Sequence, residues 1–359
     1  MQHFRLSIAV TVLLLALAGW WGNTQGGTAG MLQALWISAV LGVLEVSLSF
    51  DNAVVNATVL RHWNAFWRRL FLTVGILVAV FGMRLLFPLV IVAAATGLGL
   101  TAVWTMAIDT PAEYARHLTA HHAEVSSFGG AFLLLVFLNF LFDDDKHLHW
   151  LGWVEKKLGQ YGTEGLAVLL TISSVFACMA MVPAGRQLAV LVSGIIGVLV
   201  YIGVHWISGL LEAKEKQNES TDGAALGKLV SQGSLGGFLY LEVLDASFSF
   251  DGVIGAFAIT NDVVIIMLGL AIGAMFVRSM TVYLVHRGTL DEFIFLEHGA
   301  HYAIGILAVI MFFSVKYEIP EWFTGLSGVA FIAVSLWSSI RHKRRTGHGT
   351  VAEQEMTRS

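Results

Sequence analysis

Ten apolar stretches fill most of this chain and limit what it can become. They run over 4–22, 31–60, 67–95, 127–143, 165–182, 187–211, 233–259, 262–286, 300–318 and 322–340. A helix needs about 20 predominantly apolar residues to cross a bilayer, and backbone in lipid must satisfy its own hydrogen bonds. The expected fold class is therefore an all-α polytopic membrane protein with about ten transmembrane helices. Composition agrees, with 56% hydrophobic and only 13% charged residues, where a soluble domain carries about 25% charged.

Lys and Arg in short loops mark the cytoplasmic side. Arg61, Arg68 and Arg69 follow the second stretch, Lys214, Lys216 and Lys228 the sixth, Arg287 the eighth and "RHKRR" (341–345) the tenth. The alternate loops are poor in both, since 96–126 holds only Arg116 and 183–186 only Arg186. Both termini are thus expected in the cytoplasm of a bacterial inner-membrane protein. The chain divides into an N-terminal span (1–30), a first half (31–211), a cytoplasmic connector (212–232), a second half (233–340) and a cytoplasmic tail (341–359). The first span is an anchor or a signal peptide: "ALA" at 16–18 offers a cleavage site, while "GWWG" after it suits an interfacial anchor. The single cysteine, Cys178 in "VFACMAMV", excludes a disulfide framework and reads as a buried packing residue.

Against that background the acids stand out. "LEVSLSFDNAVVNATVL" (44–60) and "LEVLDASFSFDGVIGAFAIT" (241–260) align at a fixed offset, with Glu45 on Asp245, Ser49 on Ser249 and Asp51 on Asp251. The two copies should cross in opposite directions, which is the signature of an inverted-topology repeat with its substrate site near the bilayer midplane. "FGMR" (81–84) answers "MFVR" (275–278), so Arg84 and Arg278 fall in the span after each motif. On a straight helix Glu45, Ser49, Asn52 and Asn56 form one polar stripe, as do Glu242, Asp245 and Ser249. Asp51 and Asp251 lie off these stripes. Either the helix breaks near "SFDN" and "SFDG", or these aspartates face another neighbour.

Intramembrane acids are expensive, and they usually mark an ion or proton path. Pairing with Arg84 and Arg278 alone does not account for five acids on two spans. Carboxylate, amide and hydroxyl oxygens suit hard cations such as Mn²⁺, Mg²⁺ or Ca²⁺. These two motifs resemble those of the TerC-type membrane proteins, first named for tellurium resistance. "FGGAFLLLVFLNFLFDDDKHLHW" (128–150) is similar to a branch of that group known only as a domain of unknown function. The resemblance covers most of 31–340 and implies manganese export or metal homeostasis. It implies metal binding at Glu45, Asp51, Asn52, Glu242, Asp245 and Asp251, with Ser49, Asn56, Ser249, Arg84 and Arg278 in support. Gly252 stands where the commoner pattern has Ser.

A second candidate face lies in the external loop, where Glu113, His117, His121 and Glu124 would line one side of a helix. "DDDKHLHW" (143–150) reads as a solvated helix end with Trp150 at the interface. The expected function is a transporter exporting a divalent cation, Mn²⁺ first and Ca²⁺ next, with coupling to protons. The cation is substrate, and no resident cofactor or enzymatic activity is expected. The expected partners are the cation, the lipid bilayer and other copies in a homo-oligomer, and no nucleic acid. Two other readings stay open: an intramembrane aspartyl protease, and a membrane platform handing metal to exported proteins.

Overall fold

The computed structural model describes residues 4–75, 77–143, 146, 148–216, 235–287 and 293–356. Every regular element among them is helical. The first, α1 (Arg5–Leu48), reverses at Gly26 and Gly27, where Gly27 takes φ 59°, a value open to glycine at little cost. Its two arms touch at Gly22 and Gly30, where a Cβ on either glycine would strike the other's carbonyl. The expected first span and most of the second are thus the arms of one hairpin. Ser7 on the outer arm hydrogen-bonds Ser279 Oγ and the Met275 carbonyl, both at 2.6 Å.

The chain breaks at Ser49 (φ −101°, ψ 17°) and resumes as α2 (Phe50–Leu60). After α3 (Ala65–Leu70) it winds as π-helix over Phe71–Gly75 and Val78–Leu86 before α4 (Phe87–Thr96). Then come α5 (Leu100–Asp109), α6 (Pro111–Ala120), α7 (His122–Phe142), α8 (Trp153–Tyr161), α9 (Glu164–Ala180) and α10 (Ala184–Lys216). The second half holds α11 (Leu235–Ile259), α12 (Val263–Arg287), α13 (Leu296–Ser314) and α14 (Glu321–Met356). The connector beyond 216 lies outside the described residues.

Six of the described helices are long and apolar enough to cross a membrane, or seven if α8 and α9, bent by 101°, are one span. The ten expected stretches differ from this count for identifiable reasons. Two of them share α1. The 67–95 stretch is divided between π-helix and α4. The 233–259 stretch is helical throughout 235–259 but carries Glu242, Asp245 and Asp251 within it. The break expected at "SFDG" does not occur, since α11 runs unbroken through Gly252. That glycine serves proximity instead: a Cβ there would lie 3.0 Å from Glu45 Oε2.

The two halves interlock. The inner arm of α1, which leads into the first motif, lies along α12, and α11 packs on the π-helical stretches. Each motif helix therefore sits against the helix that follows the other motif. Small residues make the first contact close: Cβ atoms on Gly269 and Gly273 would run into Leu41 and Glu45. Membrane helices associate through such van der Waals approach, because lipid is as apolar as leucine. Side chains left on the outside are large and apolar, Trp36 at 72% and Leu188 at 71% exposed. Inside, Leu135, Leu241, Leu270 and Met311 are fully covered, as is Cys178.

Candidate functional site

Glu45 closes the last turn of α1 and is 1% exposed. Its Oε1 accepts from Ser49 Oγ at 2.7 Å and from the Arg84 guanidinium. The stripe expected from helical spacing thus continues across the break. Three residues beyond Ser49, Asn52 donates Nδ2 to Asp245 Oδ1 and so ties α2 to α11. Glu242, one turn before Asp245, lies over Gly75, where a Cβ would be 2.5 Å from its Oε1.

Several buried oxygens here accept no hydrogen bond: Asn52 Oδ1, Asn56 Oδ1, Asp245 Oδ2, both Glu242 oxygens and Ser249 Oγ. An unsatisfied buried polar group costs about 1–3 kcal/mol, and native proteins tolerate few without reason. A cavity of about 40 Å³ is lined by Asn56, Leu72, Gly75, Arg84, Asp245 and Arg278. Of these oxygens those of Asn56 and Asp245 belong to its wall, with Asn52 bonded to Asp245 and Glu242 against Gly75 just behind it. A single water needs ~10–15 Å³, so the space has room for more than one water-sized guest.

The other predicted residues make different contacts. Arg278 donates Nε to the Leu72 carbonyl at 2.8 Å and so steadies π-helical backbone rather than a carboxylate. Asp51 Oδ1 accepts from the Asn52 amide at 2.9 Å. Its Oδ2 faces α14, where a Cβ on Gly328 would lie 2.6 Å away. Asp51 is therefore buried against the last helix and is not part of the cavity lining. Asp251 lies within helical backbone, and its side chain is outside those described.

The external stripe does not assemble as one face, because α6 ends at Ala120 and α7 starts at His122. Glu113 lies 4.0 Å from Arg116 and from His117, whereas Glu124 meets His121 at 3.7 Å and Arg186 at 3.2 Å. Among the described residues no three His, Cys, Asp or Glu side chains gather closely enough to hold a metal. Any cation in this cavity would therefore need an amide oxygen such as that of Asn56 as well as the carboxylate of Asp245.

Sequence reading missed one buried cluster altogether. Glu155 on α8 accepts from the Trp150 and Leu151 amides at 3.1 Å and from Tyr302 OH at 3.0 Å, with His298 Nε2 at 3.5 Å. This folds the loop after α7 onto α13, so "DDDKHLHW" is not simply a solvated end. Asp144, Asp145 and His147 of that motif lie outside the described residues. A lone glutamate in "WVEKKLGQ" offers no signal that it is buried.

A profile described as a protein of unknown function, DUF475, matches residues 50–346. The chain belongs to the DUF475 family. The matched region takes in Asn52, Asn56, Arg84, Glu242 and Asp245 but begins after Glu45. Over 98 residues the chain is 33% identical to the uncharacterized membrane protein YceF of Bacillus subtilis (strain 168). That stretch is 27% of this chain and spans 37% of the length of that relative. No solved structure matches.

Proposed function

We propose that this DUF475 protein is a transporter that carries a hard divalent cation, Mn²⁺ first and Ca²⁺ next, out of the bacterial cytoplasm. The observation that carries this reading is the pair of buried, unpartnered oxygens of Asn56 and Asp245 at the wall of one small cavity, with those of Asn52 and Glu242 just behind it. Such oxygens favour hard cations, while thiolate or imidazole ligands, which Cu⁺ and Zn²⁺ prefer, do not line the cavity. The resemblance of both motifs to TerC-type proteins supports the same substrate class. Asn56 and Asp245 are the donors at the cavity wall, Asn52 and Glu242 are the next oxygens behind them, and Glu45 adds negative charge through Arg84. Rocking of one interlocked half against the other would expose the cavity to each side in turn. A carboxylate that takes up a proton as the ion leaves would couple export to the proton gradient.

A protease dyad is less well supported, because two aspartates must share one proton. Asp51 and Asp245 accept from different groups of Asn52, and Asp51 faces α14; the side chain of Asp251, the motif match of Asp51, lies outside those described. The platform reading needs an assembled external metal face, which Glu113, His117, His121 and Glu124 do not form. Total Mn, Ca, Zn and Fe measured in cells with and without the gene tests the proposal. Loss of the gene should raise cellular Mn several-fold under Mn²⁺ challenge and leave Zn and Fe unchanged. Equal content of every metal in both strains would overturn it.

A further inference from the structure

Arg84 is an anomaly in a cation site. Its side chain is 3% exposed, it lines the cavity, and it binds Glu45 within electrostatic reach of Asp245. A fixed positive charge among cation ligands repels the very cargo they would attract. A guanidinium also stays protonated at any physiological pH, so it cannot be switched off by deprotonation. It can only move.

The backbone that carries it is suited to moving. Arg84 sits on the π-helical stretch Val78–Leu86, and Phe71–Gly75 ahead of it is π-helical too. π-Helices are rare, usually a single turn long, and frequent at functional sites. Their hydrogen bonds skip one more residue than those of an α-helix, so reverting to α register turns every following side chain about the helix axis. Both stretches border the cavity, through Phe71, Leu72, Gly75 and Arg84.

We propose that Arg84 is a tethered cation that holds the transport site between cargo ions. It neutralises Glu45 and Asp245 when the site carries no cargo, and an entering divalent ion displaces it as Val78–Leu86 rewinds. This rests on the cation-transport reading and adds a specific competitor to it. The consequence is counter-intuitive: removing Arg84 should strengthen cargo binding, whereas a residue that merely holds the fold together would weaken it when lost.

The test is Mn²⁺ binding to the purified full-length protein, followed by loss of the free-ion electron paramagnetic resonance signal. Arg84→Gln should bind Mn²⁺ at least ~10-fold more tightly than wild type, since a charge at this range shifts a neighbouring carboxylate by ~1–3 pKa units. In Arg84→Ala, free guanidinium ion at millimolar concentration should weaken Mn²⁺ binding again, and it should do nothing to wild type. Arg84→Lys keeps Glu45 compensated if the neutral variants fail to fold. Its more strongly hydrated ammonium should compete less well, giving affinity several-fold above wild type. Unchanged or weaker binding in every variant that folds would overturn the inference while leaving transport intact. If wild type itself binds no Mn²⁺, the transport reading fails and this inference falls with it.

Discussion

Asp245→Asn should abolish cation flux and leave the fold intact. The replacing amide has nearly the same shape, and its oxygen can still accept from Asn52 Nδ2, the bond that joins α2 to α11. What disappears is one negative charge at the cavity wall. At an effective dielectric of 20, a unit charge pair about 4 Å apart is worth about 4 kcal/mol, and a divalent ion doubles that. Even if water and the remaining donors recover half, each ~1.4 kcal/mol lost is a tenfold change. Mn²⁺ flux in proteoliposomes should therefore drop at least ~100-fold, with thermal unfolding in detergent unchanged. Flux within a factor of about three of wild type would remove Asp245 from the pathway.

A second large effect is expected at the contact between α1 and α12. Gly273 faces Glu45, and a Cβ there would meet Glu45 Cγ at 2.5 Å and the Gly42 carbonyl at 2.8 Å. The carbonyl is backbone within a helix and cannot step aside. Gly273→Leu must either part the helices or push Glu45 off Arg84. Overpacking alone costs about 1–3 kcal/mol, and leaving one member of a buried ion pair unmatched costs about 3–5 kcal/mol. The variant should accumulate poorly and unfold at clearly lower temperature. Gly185→Ala is the control, because a Cβ there meets nothing within 4 Å, and it should stay within about 0.5 kcal/mol of wild type. Equal stability of Gly273→Leu and wild type would contradict the close packing of these helices.

Helical spacing was enough to find the first polar stripe. Glu45 and Ser49 do bond to each other, Asn52 reaches Asp245, and Asn56 lines the cavity. The same spacing set Asp51 apart, and it does face a different neighbour, Gly328 on α14. The matched aspartates nonetheless invited a central role for Asp51, because alignment of motifs registers similarity and not direction. The two matched arginines part company. Arg84 pairs with Glu45, but Arg278 is claimed by the Leu72 carbonyl, since the π-helical backbone leaves it an acceptor. The pairing of Arg84 with a motif carboxylate was legible from its place after the motif, but no local pattern announces a π-helix, so the Leu72 acceptor was not. The external stripe failed at His121, where the helix ends and splits four candidate ligands into separate pairs.

The central claim is that a divalent ion occupies the cavity walled by Asn56 and Asp245, with Asn52 and Glu242 next to it. The most direct measurement is to locate the ion by anomalous diffraction at the manganese edge on crystals of the protein grown with Mn²⁺. A peak inside the cavity, with oxygens of Asp245 and at least one of Asn52, Asn56 or Glu242 at ~2.0–2.6 Å and Arg84 withdrawn from Glu45, is the predicted result. A cavity without such a peak while Mn²⁺ binds at Glu113, His117, His121 or Glu124 would contradict it.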